Sequence, residues 1–118
     1  MDMHVTRSIK KIRQSKFKAQ NGRCHYCRQP MWVASSDKFR LRFGMSAKQS
    51  AKFQCTAEHV QARCDGGPDA SSNIVAACKF CNQTRHSAKD ALSEKQYKEK
   101  VIRRLKGGKW HGFLVMPP

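Results

Sequence analysis

Apolar positions recur at helical spacing near both ends of the chain and at strand-like spacing in its middle. From residue 5 to 20, Val5, Ile9, Ile12 and Lys16/Phe17 keep a helical period, and Asn21-Gly22 supplies a stop, which predicts a basic helix. Residues 30–52 scatter Trp32, Phe39, Leu41 and Phe43 among Ser, Lys and Arg with no lasting period, so irregular or short-stranded structure is expected. Phe53 to Val60 reads as a strand. Gln61 to Ser72, which contains Cys-Asp-Gly-Gly-Pro-Asp, reads as a loop, and Asn73 to Ala77 as a second short strand. Lys79 through about Ala88 should be helical. The last helix has the strongest signal: Ser93 and Gln96 stand at capping-box spacing, and Leu92, Tyr97, Val101, Ile102 and Leu105 share one face. Gly107-Gly108 ends it. The tail WHGFLVMPP is apolar enough to tuck against the body or to meet a partner.

With 118 residues, one domain is expected over 1–118: a basic helical arm (1–22), a metal-stapled core (23–90), and a C-terminal helix with its tail (91–118). A domain of this size buries a modest core, so a metal staple would help it. The longest apolar run, Ile74 to Cys78, is far short of a membrane span, and the N-terminus lacks the apolar stretch of a secretory signal. A cytoplasmic protein without membrane contact is expected.

Charge sharpens the picture. Lys and Arg number 24 against 8 acids, a formal net charge of +16, and such an imbalance favours a polyanionic partner, nucleic acid above all. The charge is uneven. Residues 1–28 carry eight basic groups and one acid, and residues 93–109 carry seven and two. Residues 58–77 carry Arg63 against Glu58, Asp65 and Asp69. Basic flanks that hold phosphates around a centre able to accept a cation suit a nucleic-acid enzyme.

Cys24-His25-Tyr26-Cys27 and Cys78-Lys79-Phe80-Cys81 are two CxxC turns. Each presents two thiolates along one edge of a tetrahedron, so together they make a closed, structural four-cysteine zinc site. A redox CxxC would need a thioredoxin-like βαβ pattern, which the chain lacks. Fifty residues separate the turns, room for a functional element. Cys55 and Cys64 read as small buried residues, and His25 as a surface residue rather than a ligand.

That inserted stretch, AEHVQARCDGGPDASSNIVAACKFCNQTRH, places Glu58-His59 at a strand end. Asn73 follows His59 by 14 positions, Asn82 comes nine later, and His86 four beyond that, on the same helix face as Asn82. Singly, each has an ordinary explanation as a surface or turn residue. Together they contain what phosphodiester hydrolysis requires: ligands for a divalent cation, and an imidazole able to deprotonate water near neutral pH.

The run Cys24/Cys27, Glu58-His59-Val60, Gly66-Gly67-Pro68, Asn73-Ile74-Val75, Cys78/Cys81-Asn82 and Arg85 resembles the HNH (ββα-metal, or His-Me finger) endonucleases over residues 23–86. The resemblance implies a small α+β fold: a ββα-metal core with a structural four-cysteine zinc site, flanked here by basic helices. It implies that His59 is the general base and Glu58 an acidic metal ligand where Asp is commoner. It implies that Asn73 ties down the inter-strand loop and that Asn82, in place of the family's last histidine, binds the cation. His86 matches a further ligand found in a subset of the family, and Arg85 stands where a basic residue contacts phosphate. The catalytic cation implied is Mg²⁺ or Mn²⁺, with Ni²⁺ or Zn²⁺ as alternatives if His86 ligates.

Two functions of different class follow. One is a metal-dependent DNA endonuclease acting on double-stranded DNA as a monomer or homodimer, for which a restriction or phage system is a compatible setting. The other is a non-catalytic zinc-ribbon module that binds nucleic acid. The candidate phosphate contacts are Lys10, Lys11, Arg63, Lys79, Arg85, Arg103 and Arg104.

Overall fold

The computed structural model describes residues 8–115 together with 117 and 118. Val5, expected on the first helix, lies outside the described residues. The elements run α1 (Ile9–Ala19), α2 (Asp37–Phe43), α3 (Ala47–Ala51), β1 (Cys55–His59), β2 (Ile74–Cys78), α4 (Lys79–Ser87) and α5 (Glu94–Lys106). The result is a small α+β fold around one antiparallel hairpin, with β1 and β2 paired from Cys55↔Cys78 to His59↔Ile74. Among the described residues, no helix is long and apolar enough to cross a membrane.

Helix α1 begins at Ser8, whose hydroxyl accepts from the Lys10 amide, and buries Ile12. Its far end is fastened by Gln20. That side chain donates to the Ala76 carbonyl (2.8 Å) and accepts from the Ala76 amide (2.9 Å), in the manner of one residue of an added strand. The first CxxC turn docks on the same residue pair, since the His25 amide donates to Ala76 O at 3.0 Å.

Residues 30–52 depart from expectation. Two short helices form there, α2 and α3, of seven and five residues. Neither is long enough to display a period, and Leu41 on α2 is 85% exposed, which breaks the apolar stripe that would have marked a helix. Local signals hold them instead: Ser46 and Gln49 form a reciprocal capping box on α3, and Gly44 closes α2 at φ +64°. Phe39, Met45 and Phe53 make a satellite core, covered by Trp32, Phe43 and Phe113.

The loop between the strands follows expectation but is more ordered than a plain turn, with single-turn 3-10 helices at Arg63–Asp65 and Ser71–Asn73. Gly67 is required there, because a Cβ on it would fall 1.7 Å from the Gln61 carbonyl oxygen.

Helix α5 has the expected capping box of Ser93 and Gln96 and buries Tyr97, Val101 and Leu105. Its face packs against the cysteine cluster together with Met31, Ala76 and Ala77. The tail folds back over the body. Trp110 meets Phe80 edge-on, and its indole N–H donates to Cys81 Sγ at 3.3 Å. His111 is buried against Phe53 and Phe80. Cys55 is buried as expected, whereas Cys64 is exposed, because it sits in the 3-10 turn outside the core.

Candidate active site

The strand-to-helix junction positions everything. β2 ends at Cys78, whose extended backbone and side chain cap α4, with Sγ accepting from the Cys81 amide at 3.4 Å. Cys78 and Cys81 thereby face the first CxxC turn. The four sulfurs of Cys24, Cys27, Cys78 and Cys81 lie within 4.8 Å of one another, all buried. Cys27 Sγ and Cys78 Sγ are 3.9 Å apart, against about 3.8 Å for the edge of a tetrahedron with zinc–sulfur bonds near 2.3 Å. Amides of Tyr26 (3.4 Å) and Cys78 (3.3 Å) point at Cys24 Sγ, as donors to a thiolate should. Burial pushes the Cys78 and Cys81 thiols well up, whereas at Cys24 hydrogen bonds from the other three cysteines overcome burial and hold the thiol well down. A bound divalent cation would let all four be thiolates together. The donor set, spacing and burial fit structural zinc.

Past that cluster, α4 runs beside the end of β1. Strand neighbours point to opposite faces, and Glu58 and His59 accordingly diverge. Glu58 is fully buried between the first CxxC turn and α4. Its Oε2 accepts from the Tyr26 hydroxyl (2.7 Å) and from Arg85 Nη1 (2.8 Å), and its Oε1 meets His86 Nε2 at 2.6 Å. Burial and the neighbouring Glu58 charge raise the Tyr26 phenol far above its ordinary value, so it remains a neutral donor. His86 keeps its side chain 31% exposed, so the Glu58–His86 contact opens to solvent.

Arg85, expected at a phosphate, is buried. Its guanidinium also donates to Tyr26 Oη, His59 O, Val60 O and Leu92 O. Burial is the largest single influence and works against its charge, but the hydrogen bond that it donates to Glu58 and its electrostatic contacts with Tyr26 and Glu58 together outweigh it and raise the Arg85 pKa. The reason for the correction is steric and electrostatic: a buried carboxylate needs a cation, and this side of α4 supplies one.

Asn82 lies one turn before His86. Its Nδ2 donates to Thr56 Oγ1 (3.0 Å) and Ala57 O (3.1 Å), which fixes the amide plane and leaves Oδ1 as an acceptor. Glu58 Oε1, Asn82 Oδ1 and an imidazole nitrogen of His86 are donor types that would suit Mg²⁺, Mn²⁺ or a later first-row ion. Asn73 holds the inter-strand loop: Oδ1 accepts from the Gln61 amide, and Nδ2 donates to Gln61 O and Pro68 O.

His59 is held by the loop rather than by Glu58, Asn82 or His86. Its Nε2 is 2.7 Å from Asp69 Oδ1, and Arg63 Nε lies close to both, donating to Asp69 Oδ1 (3.0 Å) and standing 3.2 Å from His59 Nε2, which accepts from it only in the tautomer that does not donate to Asp69. Hydrogen bonds from His59 and then Arg63 hold the Asp69 carboxyl below its usual range. Asp69 and Arg63 are about half and two-thirds exposed. Such a solvent-screened surface pair is weak and yields easily to a ligand.

Of the other basic candidates, Lys10, Lys11, Arg103 and Arg104 are exposed on α1 and α5, and Lys79 is half-buried at the start of α4. His25, half-buried, pairs with Glu94 and ties the first CxxC turn to α5. Tyr26 and Asp69 are the site residues that the sequence does not mark. A tyrosine inside a CxxC turn has no signature of its own, and Asp69 reads as one more residue of a Gly-Pro-Asp loop.

An antiparallel hairpin followed at once by a helix, stapled by four cysteines and carrying acid, imidazole and amide at one end, is the ββα-metal arrangement. Residues 46–88, just over a third of the chain, match the family model for HNH endonucleases. Cys24 and Cys27, half of the four-cysteine cluster, come from outside the matched segment. No curated protein and no solved structure matches the chain.

Proposed function

We infer that the protein is a metal-dependent DNA endonuclease, in which His59 is the general base and Glu58, Asn82 and His86 bind one divalent cation. The observation that carries this reading is the meeting of Glu58 Oε1 with His86 Nε2 at 2.6 Å, one helical turn from Asn82. A cation bound there supplies charge neutralisation on the phosphate and on the leaving oxygen. The residues of the chain do the rest. Tyr26 and Arg85 hold Glu58 Oε2, so that Oε1 alone is presented to the cation site. In the tautomer whose Nε2–H donates to Asp69, Nδ1 is the basic nitrogen that deprotonates water. Asn73 keeps the loop bearing Asp69 in register with β1. Arg63, exposed beside His59, can leave Asp69 for a phosphate oxygen. The net charge of +16 favours DNA as the polyanion.

The test is incubation of the zinc-loaded protein with supercoiled plasmid across Mg²⁺, Mn²⁺, Ni²⁺ and Zn²⁺, beside His59→Ala. Nicking by the wild type with 5′-phosphate ends, lost in the variant while DNA binding survives, is the expected result. Binding without cleavage under every metal would instead favour a non-catalytic zinc-ribbon module.

A further inference from the structure

A groove of about 460 Å³ opens between α1, β1 and α4, lined by Ile9, Lys10, Arg13, Gln54, Cys55, Thr56, Ala57, Lys79 and Gln83. Three of these side chains are cationic and none is a carboxylate. The two glutamines add amide donors, and Ile9 packs at the rim. Arg13 is the least expected member. It is half-buried on α1, and its Nε is shielded from solvent without a hydrogen-bond partner. Leaving a shielded donor unpartnered is unfavourable, so an acceptor from outside the chain is favoured there. Arg13 also stands near enough to Cys55 to oppose the effect of burial, which lifts that thiol to about 11.

We propose that this groove is a phosphate subsite that binds the DNA backbone next to the scissile phosphate, with Arg13, Lys10 and Lys79 as its cationic contacts. The placement rests on the nuclease reading above. Thr56 and Ala57 line the groove and are also the residues that hold the Asn82 amide, while Gln83 follows Asn82 on α4. A strand lying at Asn82 and His86 therefore continues into the groove without leaving the protein surface. Lys10 and Arg13 are one helical turn apart on α1 and converge on one face, and Lys79 closes the opposite side from α4. A phosphate oxygen entering beside the guanidinium supplies the acceptor that Arg13 Nε lacks. The fixed fork of arginine, flanked by two mobile ammonium groups, suits the paired anionic oxygens of a phosphodiester.

The experiment measures binding, so it does not depend on turnover. Duplex DNA affinity is followed by fluorescence anisotropy against salt for zinc-loaded His59→Ala and for the same protein carrying Lys10→Gln, Arg13→Gln and Lys79→Gln. A charge-matched control carries Lys95→Gln, Lys98→Gln and Lys100→Gln on α5. The groove variant should lose at least about tenfold in affinity near 0.1 M salt, and its log–log salt slope should shrink by roughly 2–3, about 0.9 per lost phosphate contact. The control should change far less. Equal losses in the two variants would overturn the subsite. Should Arg13→Gln impair folding, inorganic phosphate titrated into the wild type gives the same answer. Amide shifts centred on Arg13, Thr56, Lys79 and Gln83 support the groove, and shifts confined to other surfaces refute it. A wild type that never cuts but needs the groove to bind would leave the subsite standing and remove the nuclease reading. A wild type that cuts while the groove variant binds normally would do the reverse.

Discussion

Helix α4 borders two clusters that are built differently, the four-cysteine cluster and the candidate cation site. At its N-terminus four thiols are buried, their sulfurs within 4.8 Å of one another and already approached by backbone amides. One to two turns on, the candidate cation ligands combine a fully buried Glu58 with a His86 whose side chain is 31% exposed. The first cluster has no position left for water, as a structural site requires; the second keeps an open side, as a hydrolytic site requires. Tyr26 bridges them. It belongs to the first CxxC turn, yet its hydroxyl grips Glu58. The closed cluster therefore does more than staple the chain: it sets the orientation of the acid in the open one.

The largest expected effect is on the closed side. Chelating zinc, or replacing Cys27 or Cys78 by Ser, should unfold the core, because structural zinc in finger peptides contributes on the order of 10 kcal/mol. Circular dichroism before and after chelation reads this, and a chelated protein with native ellipticity would break the contrast. On the open side, His59→Ala should slow cleavage by about 10²–10⁴-fold, the range of a lost general base, with an unchanged melting temperature. Arg85→Ala sharpens the comparison from between the two. It leaves Glu58 buried without its cation and should cost roughly 3–5 kcal/mol in urea unfolding. A surface phosphate contact would leave stability unchanged.

Tyr26→Phe removes only the bridge. Zinc content should stay the same while the Mn²⁺ concentration giving half-maximal cleavage rises several-fold, up to about tenfold for a hydrogen bond worth ~1.4 kcal/mol. An unaltered Mn²⁺ dependence would mean that the two clusters are independent. The smallest effect concerns the tail. Burial, helped by Lys52, lowers His111 from 6.5 to about 4 in the folded protein. Its contribution to stability is thus complete above about pH 6.5 and is lost as pH falls through about 4. His111→Phe should flatten that part of the melting-temperature profile.

Much of the fold was legible because the signals were local and repeated. The capping box before α5, the two alternating runs around a Gly-Gly-Pro loop, and the paired CxxC turns each constrain the chain within a few residues. Helices α2 and α3 were not legible: one turn or two cannot display a period, and exposed Leu41 falsifies the pattern that would have revealed α2. At the candidate site, the residue types were readable while their partners were not. Arg85 follows Asn82 by three positions and looks like a phosphate contact until Glu58, 27 positions away in sequence, is seen to be buried against it. Tyr26 and Glu58 are separated by 32 positions, and no local rule pairs them. Such long-range hydrogen bonds are where sequence patterns stop being informative.

The central claim is that one helix carries a closed zinc cluster and an open cation site within two turns. Crystals of the zinc-loaded protein soaked in Mn²⁺, with anomalous data at the zinc and manganese edges, test it directly. The account predicts a zinc peak among Cys24, Cys27, Cys78 and Cys81, and a manganese peak touching Glu58, Asn82 and His86. Manganese bound elsewhere, or excluded because His86 and Glu58 keep their direct contact, would contradict it.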